Sequence, residues 1–169
     1  YCSNGNSIYK TNDSGINWTL QNTVTSGNSI YSISFVNSTT GYYSGNNGVY
    51  KTTDSGINWT LQNNTDPIGN ISFVNSTVGY GNQNGNIYKT TDSGINWTLQ
   101  NTLTFGLYTI SFVNSTTGYC SNGNSIYKTT DSGINWTLQN NTITILDISF
   151  VDSTVGYGNQ NGNIYKTTD

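Results

Sequence analysis

One nine-residue phrase governs what this chain can become. Ser-Gly-Ile-Asn-Trp-Thr-Leu-Gln-Asn begins at Ser14, Ser55, Ser93 and Ser132, placing tryptophan at 18, 59, 97 and 136, spacings of 41, 38 and 39 residues. A second phrase, Ile-Ser-Phe-Val, begins at Ile33, Ile71, Ile110 and Ile148. A third, Tyr-Lys-Thr-x-Asp, ends at Asp13, Asp54, Asp92, Asp131 and Asp169. A period of about 39 residues makes each unit a supersecondary element that buries its apolar side chains against its neighbours.

Composition decides what kind of element. The 169 residues include no Ala, Glu, Arg, His or Met, while Asn, Ser and Thr dominate. Most good helix formers are missing, so helical repeats are excluded. Each unit instead holds four short runs rich in Tyr, Val, Ile, Thr, Phe and Trp, separated by Asn and Gly. In the unit with the fewest interruptions the runs are strand A at Ile71–Val74, B at about Gly79–Asn82, C at about Asn86–Thr91 and D at about Asn96–Gln100. Four antiparallel strands in about 40 residues are the dimensions of a β-propeller blade. A β-solenoid is the rival, but its coils are shorter and seldom contain four hairpin-like turns. The expected fold is therefore all-β: a propeller-type array of four-stranded blades at about 30–63, 70–101 and 109–140, with incomplete blades at 1–22 and 147–169.

The run Thr11-Asn12-Asp13-Ser14-Gly15-Ile16-Asn17-Trp18 resembles the Asp-box, a Ser/Thr-x-Asp-x-Gly-x-x-Trp hairpin between strands C and D of BNR-type propellers. It returns at Thr52–Trp59, Thr90–Trp97 and Thr129–Trp136 and begins again at Thr167. The wider unit, from Ser-Phe-Val-Asn-Ser-Thr-x-Gly-Tyr to the tryptophan, is similar to repeats of the photosystem II assembly-factor-like propellers. The resemblance implies structural roles for Asp13, Gly15, Trp18, Asp54, Gly56, Trp59, Asp92, Gly94, Trp97, Asp131, Gly133 and Trp136. Asp and Ser accept backbone N–H bonds in the tight turn, Gly permits positive φ, and Trp is expected to seal the hairpin against the adjoining blade.

Tyr1-Cys2-Ser3-Asn4-Gly5 matches Tyr119-Cys120-Ser121-Asn122-Gly123, so the first residue falls in a strand B, and Asp169 falls inside an Asp-box. Two readings stay open: a stretch of a longer array with strands supplied by neighbours, or five blades in one ring, two of them thin. Incomplete blades leave open strand edges, and open edges recruit partners. Other copies of the chain are therefore expected partners, by strand exchange into a ring or a filament. Cys2 and Cys120 sit at equivalent positions three blades apart. An intrachain disulfide needs Cα atoms within about 7 Å, and such positions are not expected to meet in an ordinary ring. That leaves free thiols in small packing sites or partners across subunits.

The repeats vary mainly on one face. A–B and C–D turns are nearly constant, whereas the D–A connections (Asn22–Ser32, Asn63–Asn70, Asn101–Thr109, Asn140–Asp147) and B–C turns differ. Loops on a rigid scaffold carry binding residues. The candidates are Tyr31, Tyr43, Phe105 and Tyr108, toward a glycan or protein ligand. The plain alternative is drift in loops that nothing constrains.

Other chemistries are disfavoured. Sialidases carry Asp-boxes, but such hydrolases need cationic groups and a carboxylate-supported nucleophile. This chain has no Arg and no Glu, and its Lys residues (10, 51, 89, 128, 166) share one repeat position. Only Asp66, Asp147 and Asp152 lie outside the Asp-box positions, a poor active site, so we expect no enzyme. No metal or cofactor is expected, since the turns lack the clustered carboxylates of a calcium loop. A net charge of −3 and five spaced lysines give no nucleic-acid face. No apolar run approaches the roughly 18 residues of a spanning helix, so no membrane insertion is expected. The Asn/Ser/Thr-rich, Lys-poor surface favours an extracellular or cell-surface, non-catalytic binding or structural module. The alternatives are a lectin-like propeller and a degenerate glycosidase relative. Sequons at Asn37, Asn75 and Asn114 fall in the A–B turns.

Overall fold

A computed structural model describes residues 1–24, 28–65 and 68–168. Asp66 and Asp169 lie outside the described residues. Among the described residues, eighteen strands form five antiparallel meanders. The first is β1 (Cys2–Asn4), β2 (Ser7–Lys10) and β3 (Thr19–Thr23). The second is β4 (Ile30–Phe35), β5 (Gly41–Gly45), β6 (Gly48–Thr52) and β7 (Thr60–Asn63). The third is β8 (Asn70–Phe73), β9 (Gly79–Gln83), β10 (Asn86–Thr90) and β11 (Thr98–Thr102). The fourth is β12 (Thr109–Phe112), β13 (Gly118–Ser121), β14 (Ile126–Thr129) and β15 (Thr137–Asn140). The fifth is β16 (Asp147–Phe150), β17 (Gly156–Gln160) and β18 (Asn163–Thr167). The sheets are arranged as a β-propeller, with β4, β8, β12 and β16 packed side by side as inner strands.

The fourth strand of each complete sheet starts later than the sequence suggests: β11 begins at Thr98, not Asn96. Asn96 still belongs to the turn, because its N–H and side-chain amide both bond to the Asp92 carboxylate. A register shift between Ile87 and Tyr88 then lets β11 rejoin the ladder.

Each junction between sheets repeats one set of contacts. At the third, Tyr80 and Ile87 of one sheet pack with Ile110, Phe112 and Cys120 of the next. Equivalent clusters join the second sheet to the third, the first to the second and the fourth to the fifth. A tyrosine lies flat on the next sheet's phenylalanine at every junction: Tyr1 on Phe35, Tyr42 on Phe73, Tyr80 on Phe112 and Tyr119 on Phe150. A lysine ammonium covers each tyrosine ring, as Lys51 does at 5.5 Å from Tyr42. The tyrosine hydroxyl donates to a backbone carbonyl of the next A–B turn, Tyr42 to Ser76 at 2.6 Å. The lysines are thus scaffold, spanning the junctions: Lys51 also reaches Ser93 Oγ of the next sheet at 3.0 Å.

The tryptophans close their own sheet. Trp59, Trp97 and Trp136 meet Phe35, Phe73 and Phe112 edge to face at 6.0 Å. Trp18 has no such phenylalanine in its three-stranded sheet and is 45% exposed. Trp59, Trp97 and Trp136 also pack on the clusters that join their sheet to the preceding one, Trp97 on that of Tyr42, Val49 and Phe73. The turn glycine reaches the same neighbour: a Cβ on Gly94 would lie 3.3 Å from Val49 of the preceding sheet. The phenylalanine ring also covers the glycine paired with it, since a Cβ on Gly79 would fall 2.6 Å from Phe73. Small residues there are a packing requirement.

Candidate functional site

The repeated turns are structural cages. In the second sheet, Thr52 is 1% exposed; its Oγ1 donates to Asp54 Oδ1 at 2.8 Å and accepts the N–H of Gly56 at 3.0 Å. Asp54 Oδ1 accepts the Asn58 N–H at 2.9 Å, and Oδ2 the Asn58 side-chain amide at 2.7 Å. The backbone this demands is left-handed twice in succession, Ser55 at φ 68° and Gly56 at φ 86°. The same bonds recur at Asp13, Asp92 and Asp131. At Asp13, Asp54 and Asp131 the backbone N–H, then the side chain, of the asparagine four residues on holds the carboxyl below its ordinary range. At Asp92 burial opposes the shift and the Asn96 bonds overcome it. Every acceptor oxygen faces a donor of its own turn, so these carboxylates are committed to the fold. Asp152 serves its turn likewise, accepting the N–H groups of Thr154 and Val155 at 2.8 Å. The backbone N–H of Val155 leads in lowering its pKa.

The four sequence candidates divide. Tyr43 is 3% exposed, stacked on Tyr50 at 4.7 Å and edge-on to Trp59 at 4.8 Å. It is core and leaves the candidate set, because β5 is covered on both faces. Phe105 lies on the variable face but stacks on Tyr127 at 4.7 Å, holding its own loop. Tyr31 and Tyr108 remain, 57% and 60% exposed. They stand at equivalent positions, each four residues before the inner-strand phenylalanine, at the same end of their inner strands.

Between those strands lies a cavity of about 370 Å³, lined by all five sheets. Its walls carry two polar rows: Ser32, Asn70, Thr109 and Asp147, and, two residues further along the same strands, Ser34, Ser72, Ser111 and Ser149. The serines of the second row stitch the sheets together. Ser34, Ser72 and Ser111 each accept the N–H of the next sheet's phenylalanine (Phe73, Phe112, Phe150) at 2.9 Å. In the first row, Thr109 Oγ1 donates to Asp147 Oδ1 at 2.7 Å, and the Asn70 amide to the Tyr108 carbonyl at 2.5 Å. Asp147 is exposed, and among the described residues its hydrogen bonds engage Oδ1 alone. Sequence reasoning passed over these rows, although the polar residue between Ile and Phe in every Ile-Ser-Phe already marks the face turned away from the sheet junctions.

The arrangement can hold a hydroxyl- or amide-bearing group beside one aromatic ring, that of Tyr31. Tyr108 does not line the cavity, and its ring lies on Gly123. Among the described residues, no three His, Cys, Asp or Glu side chains are grouped to hold a metal ion. Cys2 and Cys120 are both free thiols; burial pushes the Cys120 thiol well up.

No protein-family model matches the chain, and no curated protein does. Solved structures do. YCF48 from Cyanidioschyzon merolae is similar over 96% of this chain and 63% of its own, at 18% identity and a TM-score of 0.69. A YCF48 bound to D1 peptide is similar over 83% of this chain and 55% of its own, at 20% identity and a TM-score of 0.56. A GH74 enzyme from Niastella koreensis is similar over 81% of this chain and 28% of its own, at 18% identity and a TM-score of 0.61. The chain thus spans less than two thirds of the length of these structures. At such identities the likeness is one of fold: a β-propeller resembling YCF48.

Proposed function

We propose that this chain is a non-catalytic binding module, extracellular or at a cell surface, which takes a neutral polar ligand at the channel mouth beside Tyr31. The observation that carries the reading is the exposure of Tyr31 on the wall of a hydroxyl-lined cavity, while Tyr43 and Phe105 are packed away and the Tyr108 ring lies on Gly123. A glycan fits this chemistry first: sugar faces stack on tyrosine, and Asn70, Thr109 and Asp147 bond hydroxyls. A YCF48 structure with a bound peptide supports binding as a use of this fold.

Catalysis is disfavoured by the spacing of acids. A carboxylate-pair glycosidase needs two carboxyls about 5–9.5 Å apart. Asp147 and Asp152 sit at opposite ends of β16, on the order of 15 Å apart by strand rise, and the remaining described acids are locked in turns.

A glycan array on the wild-type chain, repeated with Tyr31→Ala and Tyr108→Ala, tests the reading. Saturable binding that Tyr31→Ala weakens without a change in Tm, and that Tyr108→Ala leaves in place, supports it. Turnover of a glycoside, or binding indifferent to Tyr31, sinks it.

A second reading, assembly from copies, is favoured by the outer face of the fifth sheet, where Val151 is 70% and Ile164 73% exposed. Ile164 occupies the repeat position of Val49 and Ile87, which are fully buried at their junctions. Sedimentation over a hundredfold concentration range decides it: a single monomeric species removes this reading.

A further inference from the structure

Tyr31 does not stand on a regular strand. The ladder between β4 and β5 shifts register between Ile30 and Ser32, which leaves Tyr31 as the extra residue of a bulge. The corresponding ladders β8–β9, β12–β13 and β16–β17 run without a shift. A bulge re-aims a side chain, and bulges gather beside binding sites. Tyr108, at the same repeat position, behaves differently. It keeps the ladder, donating its N–H to the Ser121 carbonyl at 2.9 Å, and its ring lies on Gly123, where a Cβ would fall 2.6 Å from it. In the second sheet the repeat position of Gly123 is Asn46, a side chain in place of the bare glycine. The re-aimed Tyr31 lines two cavities at once.

One is the central cavity already described. The other, about 290 Å³, lies between the β5–β6 turn and the connection from β7 to β8. Gly45, Gly48 and Gly69 present backbone to it, Ile68 an apolar side chain, and Asn64 and Gln83 their amides. The fold fixes this lining: Gly48 has φ 123°, and a Cβ there would run into the Asn63 carbonyl oxygen. Among the described residues none that lines this second cavity is charged. At about 370 and 290 Å³, the two cavities sit at the lower end of small-molecule sites, about 300 Å³. Each has room for one ring of a ligand rather than for a chain.

We infer that the two cavities are adjacent subsites of one ligand, a neutral oligosaccharide of at least two rings laid across Tyr31. The inference rests on the reading that Tyr31 marks the ligand site, and adds the ligand's length and the chemistry of its second unit. One ring sits at the channel mouth beside Ser32 and Asn70, the next against Ile68 between Asn64 and Gln83. A pyranose matches that second lining, since it has an apolar face for the isoleucine and polar groups at its rim for the amides. An acetamido sugar matches it best: the amides of Asn64 and Gln83 each offer a donor and an acceptor in one plane, as an acetamido group does. Tyr31 is the shared wall, so its ring meets both units.

The test titrates the whole 169-residue chain calorimetrically with N-acetylglucosamine and with its β1,4-linked dimer. The dimer should bind at least about tenfold more tightly than the monomer, the worth of one or two added hydrogen bonds. Gln83→Ala should remove most of that gain. Asn64→Ala, at an exposed position, should also reduce it and serves where Gln83→Ala does not fold. Tyr31→Ala should weaken both sugars. A dimer that binds no better than the monomer, or a gain that survives both amide variants, overturns the inference and leaves the channel-mouth reading standing if Tyr31→Ala still weakens binding. Absence of saturable binding by either sugar, or binding indifferent to Tyr31→Ala, overturns that reading and this inference with it.

Discussion

Tyr80 and Phe112 stack with ring centroids 3.5 Å apart and planes within 3°, across the junction of the third and fourth sheets. The pair concentrates what holds neighbouring sheets together. The Tyr80 ring is fully buried, Lys89 covers its other side at 5.4 Å, and its hydroxyl donates to the Ser115 carbonyl. Tyr80→Ala should cost about 3–5 kcal/mol, and Tyr80→Phe about 1 kcal/mol for the lost hydrogen bond. Urea unfolding measures both. A double-mutant cycle with Phe112→Ala should return about 0.5–1.5 kcal/mol of coupling. Additive losses would mean that the stacking itself contributes nothing.

Thr52 is the hub of its turn, donating to Asp54 and accepting from Gly56 while 1% exposed. Thr52→Val keeps the shape and removes the hydroxyl, leaving a buried N–H without its acceptor. We expect a loss of about 1–3 kcal/mol, read as a lower urea midpoint at unchanged m-value. A neutral result would show that the turn forms without the threonine.

Acid should weaken the fold only at low pH. Asp13, Asp54, Asp92, Asp131 and Asp152 have folded pKa values below their ordinary 3.8. A depressed folded pKa contributes stability that is present above the unfolded value and lost as pH falls through the folded one. With no His and no Glu in the chain, Tm should be flat from about pH 8 to 5 and fall steeply below about pH 4. Calorimetry across this range checks it. A transition near pH 6 would contradict the assignment.

Asn82 marks a local flaw. Its position holds a serine in the neighbouring sheets, and there Ser44 and Ser121 donate to the carbonyls of Gly69 and Ile145. Asn82 is 3% exposed and reaches Leu107 only at 3.4 Å, while its Oδ1 finds no partner. Asn82→Ser should restore the bond of its neighbours and raise stability by about 1 kcal/mol. A lower Tm would show that the volume of asparagine matters more than its unsatisfied oxygen.

The repeat phrases and turn residues were enough to specify strands, sheet order and the propeller arrangement, because those depend on local propensity and on a period every copy shares. Asp54 and its equivalents were legible as turn residues for the same reason: their partners lie within four positions of them. What a side chain meets across a sheet junction was not local, and only the tertiary structure decided it. Tyr31 and Tyr43 both read as variable aromatics. The fold buries Tyr43 between Tyr50 and Trp59 and leaves Tyr31 at the channel rim, since one lies within a covered sheet and the other precedes the inner strand's core positions. The channel itself, lined from five separate repeats, exists only once the sheets are placed around a common axis. Cys2 and Cys120 sit in identical eleven-residue segments, yet one is half-buried and the other sealed, because burial belongs to the neighbours a segment acquires and not to the segment.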